Sequence, residues 1–171
     1  MDCKSALPVF LVMAVSVGVS DGRADERSSL TLQALLSSWT SKSEPPVVQL
    51  TIVNHGPSEV WLTRRFVLND PESPPAYREI WFDVREVGGA GLPFSCTVRA
   101  STAPAESYVR LETGHTVGAI MSLGFCYKFS HGHRYEIVAH WKDSGPMSRK
   151  PPKGALSPSE ELVALPILVD F

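Results

Sequence analysis

The chain has 171 residues, 43% of them hydrophobic and 20% charged, with a formal net charge of -2. That composition belongs to one ordinary globular domain, and the near balance of charge gives no electrostatic basis for binding nucleic acid or an acidic membrane surface. Fourteen prolines and twelve glycines are many turn-formers for one domain and favour numerous short strands over a few long helices.

Residues 1–24 read as a secretory signal peptide. Lys4 supplies a positive charge, Leu7 to Val19 is almost unbroken apolar sequence, and Gly22-Arg23-Ala24 puts small residues at the -3 and -1 positions of a cleavage site. The apolar run is short for a membrane span, so no stable span is expected once the peptide is removed. Cleavage after Ala24 leaves a single domain, 25–171, expected to be periplasmic or secreted. A domain of that size buries roughly 70% of its unfolded surface. Cys3 leaves with the signal peptide, and Cys96 and Cys126 remain. An even pair in an oxidising compartment predicts a disulfide, which would stabilise the fold by about 3.6 kcal/mol in the chain-entropy model. Two separate thiols stay open as the alternative, because nothing in the sequence fixes the Cα separation a bridge needs.

The mature chain opens with Ser28 to Ser37, where Leu30, Leu32 and Ala34 alternate as in a strand. After the polar connection Thr40–Pro46, Val47 to Asn54 is the clearest strand, with Val48, Leu50 and Ile52 on one face and Gln49 and Thr51 on the other. His55-Gly56-Pro57-Ser58 turns the chain into a strand over 59–68, in which Arg64-Arg65 marks a bulge or a switch of sheet. Asn69 to Ala76, with three prolines, is a loop. Tyr77 to Val87 follows as a strand with Ile80, Phe82 and Val84 inward and Trp81, Asp83 and Arg85 outward. Short strands are predicted over 94–99, carrying Cys96, and over 107–112.

The stretch from His115 to Trp141 supplies two strands, roughly 116–129 and 134–142. Val117, Ala119, Met121, Leu123 and Phe125 alternate through the first, which puts Cys126 on the opposite face unless Gly124 hosts a bulge. Tyr135, Ile137, Ala139 and Trp141 alternate through the second. Between them Gly132 is placed for a positive φ, and Tyr135 stands where a tyrosine corner caps upstream backbone. A polar, proline-rich mobile loop is expected over 143–156, a single helical turn near Ser157, and a final strand over 165–170. Eight or nine short strands without helical periodicity predict an all-β, immunoglobulin-like antiparallel two-sheet sandwich with its core over 29–142.

The segments VVQLTIVNHGPSEVWL, REIWFDVREVGGAGLPF and YVRLETGHTVGAIMSLGFCYKFSHGHRYEIVAHW carry a resemblance. Over residues 29–142 the chain resembles an Ig-like module of exported bacterial proteins, the non-catalytic N-terminal domain of deuterolysin-type metalloproteases. Its Asn54-x-Gly56 hairpin is also similar to that of BsuPI-type proteinase inhibitors. The metalloprotease resemblance implies a module without chemistry, since no HExxH occurs in the chain.

The residues themselves point the same way. His131 and His133 sit at a hairpin end, and His140 lies seven residues along a strand, over ~20 Å away at the usual rise, so the three do not share a metal ion. Turn histidines completed by Cys126 or His115 are the remaining metal arrangement, set against solvated turn residues. No nucleophile elbow or phosphate-cradling loop occurs, so no catalytic residue, metal or cofactor is expected. Trp61 and Trp81 project from the outward parity of their strands. If those strands are neighbours, the pair forms an aromatic surface for a protein or glycan; otherwise spare segments cover it. The expectation is therefore a non-catalytic binding or accessory module. Proteinase inhibition through the proline-stiffened loops 69–76 and 143–154 is the alternative.

Overall fold

A computed structural model describes residues 30–37, 44–63, 66–75, 78–97, 108–143 and 161–171. The signal peptide, the Arg64-Arg65 bulge, most of the 143–156 loop and the Ser157 turn lie outside the described residues. Among the described residues nine strands follow one another: β1 (Leu30–Leu36), β2 (Val47–Asn54), β3 (Val60–Thr63), β4 (Ile80–Glu86), β5 (Tyr108–Leu111), β6 (Thr116–Ser122), β7 (Arg134–Trp141), β8 (Leu162–Val163) and β9 (Ile167–Asp170). They form an all-β antiparallel sandwich. One sheet has the order β1-β2-β6, the other centres on β7, with β4 on one side and β8 and β9 on the other, and β3 pairs with β5. Neighbours distant in sequence, such as β2 with β6 and β4 with β7, give the crossed connections of the immunoglobulin-like sandwich.

Alternation explains the core. Val48, Leu50 and Ile52 of β2 face Ile80, Phe82 and Val84 of β4 and Tyr135, Ile137, Ala139 and Trp141 of β7, all buried. Each large apolar side chain so buried contributes roughly 1.5–3 kcal/mol. Gly118 of β6 stands opposite Thr51, and a Cβ there would overlap the Leu50 carbonyl oxygen, so β2 and β6 approach this closely only with glycine. Gly132 takes a φ of 81° in the turn before β7. Tyr135 caps that turn: its hydroxyl accepts from Ser130 N at 2.9 Å and donates to Ser130 O at 3.3 Å.

Four expectations are corrected. The strand from 116 stops at Ser122 instead of running to 129, because Leu123–Phe125 forms a 3-10 turn. Leu123 N donates to Pro46 O, and Gly124 sits where a Cβ would meet the Pro45 ring. The turn breaks the alternation, so Phe125 is 84% exposed and Cys126 is buried. Residues 94–97 form no strand, since Ser95 N donates to Cys126 O rather than to a ladder. Leu162 and Val163, assigned to no strand from the sequence, pair with β7 as β8. Asp143, placed by sequence at the start of an exposed loop, is buried.

β8 and β9 are one edge strand interrupted by a bulge. His140 faces Val163 and Ile137 faces Ile167, so Val138 and Ala139 of β7 oppose three residues, Ala164, Leu165 and Pro166. Pro166 has no N–H for the ladder, which suits it to a bulge on an edge strand.

Candidate functional site

The disulfide is present. Cys96 and Cys126 are bonded with a Cα–Cα separation of 4.8 Å, and Ser95 Oγ also donates to Cys126 O at 2.9 Å. The bridge fastens the irregular segment after Gly91 to the 3-10 turn.

Trp61 and Trp81 do not make a joint surface. Trp61 is half-buried on β3, which pairs with β5, whereas Trp81 lies on β4, which pairs with β7. Trp81 is only 4% exposed despite its outward parity. The His140 ring stacks on it with centroids 5.0 Å apart, and the Arg78 guanidinium lies 4.5 Å from its ring centre. His140 is held in turn by Glu161 at 2.7 Å and Asp83 at 3.1 Å. The cover comes from a neighbouring strand, a preceding arginine and the C-terminal segment, so Trp81 is a packed residue and not a contact surface.

The turn histidines are also engaged. His131 stacks on Phe171 with centroids 4.3 Å apart, and His133 Nδ1 lies 2.8 Å from Glu86 Oε1. Cys126, in its disulfide, offers no thiolate to either. Among the described residues no three His, Cys, Asp or Glu side chains gather as a metal-binding set.

Thr63, Glu79 and Asp143 are buried together where β3, β4 and β7 end. Glu79 Oε2 accepts from Val67 N at 3.4 Å, and Lys142 N donates to Glu79 O at 2.8 Å. Burial, and then the negative charge of Glu79, push the Asp143 carboxyl from its usual value near 3.8 up to about 6. The Thr63 hydroxyl offsets part of this from close by, outside full hydrogen-bonding geometry. The folded state therefore holds the Asp143 proton more tightly than the unfolded chain does. Stability present below about pH 4 is lost as pH rises toward 6 and stays lost above it. Asp143→Asn is expected to remove that fall, on the order of 2–3 kcal/mol, so that urea unfolding curves at pH 5 and pH 8 converge. A mutant that keeps the wild-type pH slope would refute the assignment.

Among the described residues two grooves stand out. One, of about 600 Å³, lies beside β4 between Asp70-Pro71-Glu72 and Leu92-Pro93-Phe94. Two of its carboxylates are already paired, Glu136 with Arg85 at 2.6 Å and Asp83 with His140. Its loop wall is fixed from within: Asn69 Oδ1 accepts from Glu79 N at 2.7 Å, and Arg78 donates to Pro71 O at 2.8 Å.

The second groove, of about 530 Å³, runs between β1 and the β8–β9 edge. Leu35, Leu36, Leu165 and Leu168 line it, and among the described residues Gln33 is its only polar side chain. Leu35 is 62% exposed, Leu165 85% and Leu168 53%. The sheet register extends the apolar strip, since Gln49 stands between Leu35 and Ile120 and Ile120 is also exposed. The bulge is what turns Leu165 outward. Contiguous exposed leucines between two strand edges are unusual on a free surface. Sequence alternation does not reveal them, because Leu35 and Leu168 hold the outward parity that solvent-facing residues hold.

No protein-family model and no curated protein matches the chain. Among the described residues no helix is long and apolar enough to cross a membrane.

Proposed function

We propose that this is an exported, non-catalytic binding module that engages a partner protein through the apolar groove between β1 and the β8–β9 edge. The exposed leucines of that groove carry the reading: removing them from water favours association with a partner. Export rests on the signal-peptide pattern of residues 1–24, and the Cys96–Cys126 disulfide is compatible with an extracellular location. The resemblance to the non-catalytic domain of deuterolysin-type proteases supports a module without chemistry.

The test combines Leu35→Asp with Leu168→Asp. Both side chains point away from the core, so Tm is expected to stay within about 3 °C of wild type, as for surface substitutions generally. Affinity for binders selected from a displayed library against the wild-type protein is expected to fall at least tenfold. Selected binders that bind the double mutant undiminished would overturn the reading.

A second reading, proteinase inhibition, draws on the loop 69–75, whose hydrogen bonds within itself and to Arg78 and Glu79 lower the ordering cost of entering a cleft. Titration against a panel of secreted proteases decides it; full protease activity at micromolar protein rules it out.

A further inference from the structure

The main-chain groups that border the apolar groove say what shape its occupant has. Ser37 N donates to Val47 O at 2.8 Å, so the odd-numbered residues of β1 bond to β2 and the even-numbered ones present their N–H and C=O to the other side. Leu32, Ala34 and Leu36 thus form an open row of donors and acceptors along the groove, with no partner among the described residues. On the opposite wall, Phe171 and His133 exchange hydrogen bonds of 3.0 and 3.1 Å, so the main chain of Leu168 likewise faces away from β7. Two strand edges, one from each sheet, border the same apolar space.

We infer that the occupant is an extended, uncharged segment of another protein, added as a strand to β1 with alternate side chains lying against Leu35 and Leu168. Three observations favour this shape. The open groups repeat every second residue over 32–36, the spacing a strand of about five residues matches. Among the described residues no ionisable side chain lines the groove, so a charged residue facing them would lose its hydration without compensation. β8 and β9 come within 8 Å of β1, Cα to Cα, on the far side, so the groove is too narrow for a helix or a sheet.

This inference rests on the groove being a binding site, and the experiment separates the two. The probe is an acetylated, amidated peptide of alternating Thr and Val, seven residues long, and the same peptide N-methylated at alternate residues. Isotope-edited NMR of the purified protein follows the amides of residues 30–37 and 167–170. Addition of the parent peptide is expected to slow exchange at Leu32, Ala34 and Leu36 while leaving Thr31, Gln33 and Leu35, already bonded to β2, unchanged. N-methylation on the bonding side is expected to weaken binding at least tenfold. Equal binding of the methylated peptide, or no binding of either at 1 mM, overturns strand addition. In that case, library binders that still lose affinity to Leu35→Asp with Leu168→Asp leave the groove standing as a site for another kind of occupant. A protein that sediments as a dimer, with those amides protected before any peptide is added, also overturns it and makes a second copy the occupant.

Discussion

Asn54→Ala is expected to destabilise the domain by about 3–4 kcal/mol, more than any other single polar substitution among the described residues. The side chain is 1% exposed and makes three hydrogen bonds to main chain. Its amide nitrogen donates to Ser58 O at 2.9 Å and to Leu111 O at 3.0 Å, and its Oδ1 accepts from Gly56 N at 2.9 Å. It thereby shapes the turn after β2 and ties that turn to β5. Truncation strands two carbonyls and one N–H where water has little access, which costs more than the net worth of the bonds themselves. At a domain of this size the loss corresponds to roughly 6–16 °C in Tm. Asn54→Asp separates shape from bonding: it retains the acceptor for Gly56 N but offers no donor to Ser58 O or Leu111 O. Chemical denaturation of both variants checks this, and an alanine variant within 1 kcal/mol of wild type would show that the turn holds without its clamp.

Removing the disulfide with Cys96→Ser and Cys126→Ser is expected to cost a similar amount, about 3.6 kcal/mol on the chain-entropy account of a thirty-residue separation. The loss lies mainly in the unfolded state, which regains the conformations that the ring excluded. A local cost adds to it, since Cys126 is buried and leaves a small void beside Leu123 and Tyr127. Reducing agent acting on the wild-type protein should reproduce the entropic part without the void. Calorimetry of the oxidised, reduced and double-serine forms tests both parts at once: the order of Tm values is expected to be oxidised, then reduced, then double serine. Coincident values for oxidised and reduced protein would contradict the entropic account.

The sandwich was legible in the sequence where one rule dominated. In β2, β4 and β7 apolar residues recur at every second position, and the inward residues read from that alternation are all buried. Tyr135 was legible for the same reason, since a tyrosine opening a strand after a turn has few other uses. Legibility failed where a distant contact outweighed the local pattern. The Pro45 ring beneath Gly124 halts β6, and nothing near Gly124 in sequence announces a proline almost eighty residues away. The segment 94–97 has strand composition, but a disulfide and two bonds from Ser95 to Cys126 O fasten it where no ladder runs. Trp81 obeys its parity and is buried nonetheless, because Arg78 and His140 close over it.

The groove was the least legible feature of all. An outward leucine and an outward threonine differ little as pattern when a strand has one wet face. What distinguishes Leu35, Leu165 and Leu168 is that two sheet edges converge and a bulge turns the chain outward between them. Those are facts about which edges remain open, and strand pairing decides them after each strand's own alternation is fixed.

The Cys96–Cys126 bridge also has a mechanical consequence. The ring it closes contains β5 and β6, which belong to different pairings, β5 with β3 and β6 with β2. Tension applied between the two ends of the chain bypasses the ring and is carried by the sulfur atoms. β3 can be peeled from β5, and β2 from β6, but the segment enclosed between Cys96 and Cys126 never lengthens. An oxidised molecule drawn fully straight is thus shorter than a reduced one by about 100 Å, the contour of the sequestered segment. A partner that pulls on this domain meets a tether with a fixed, redox-set limit to its reach.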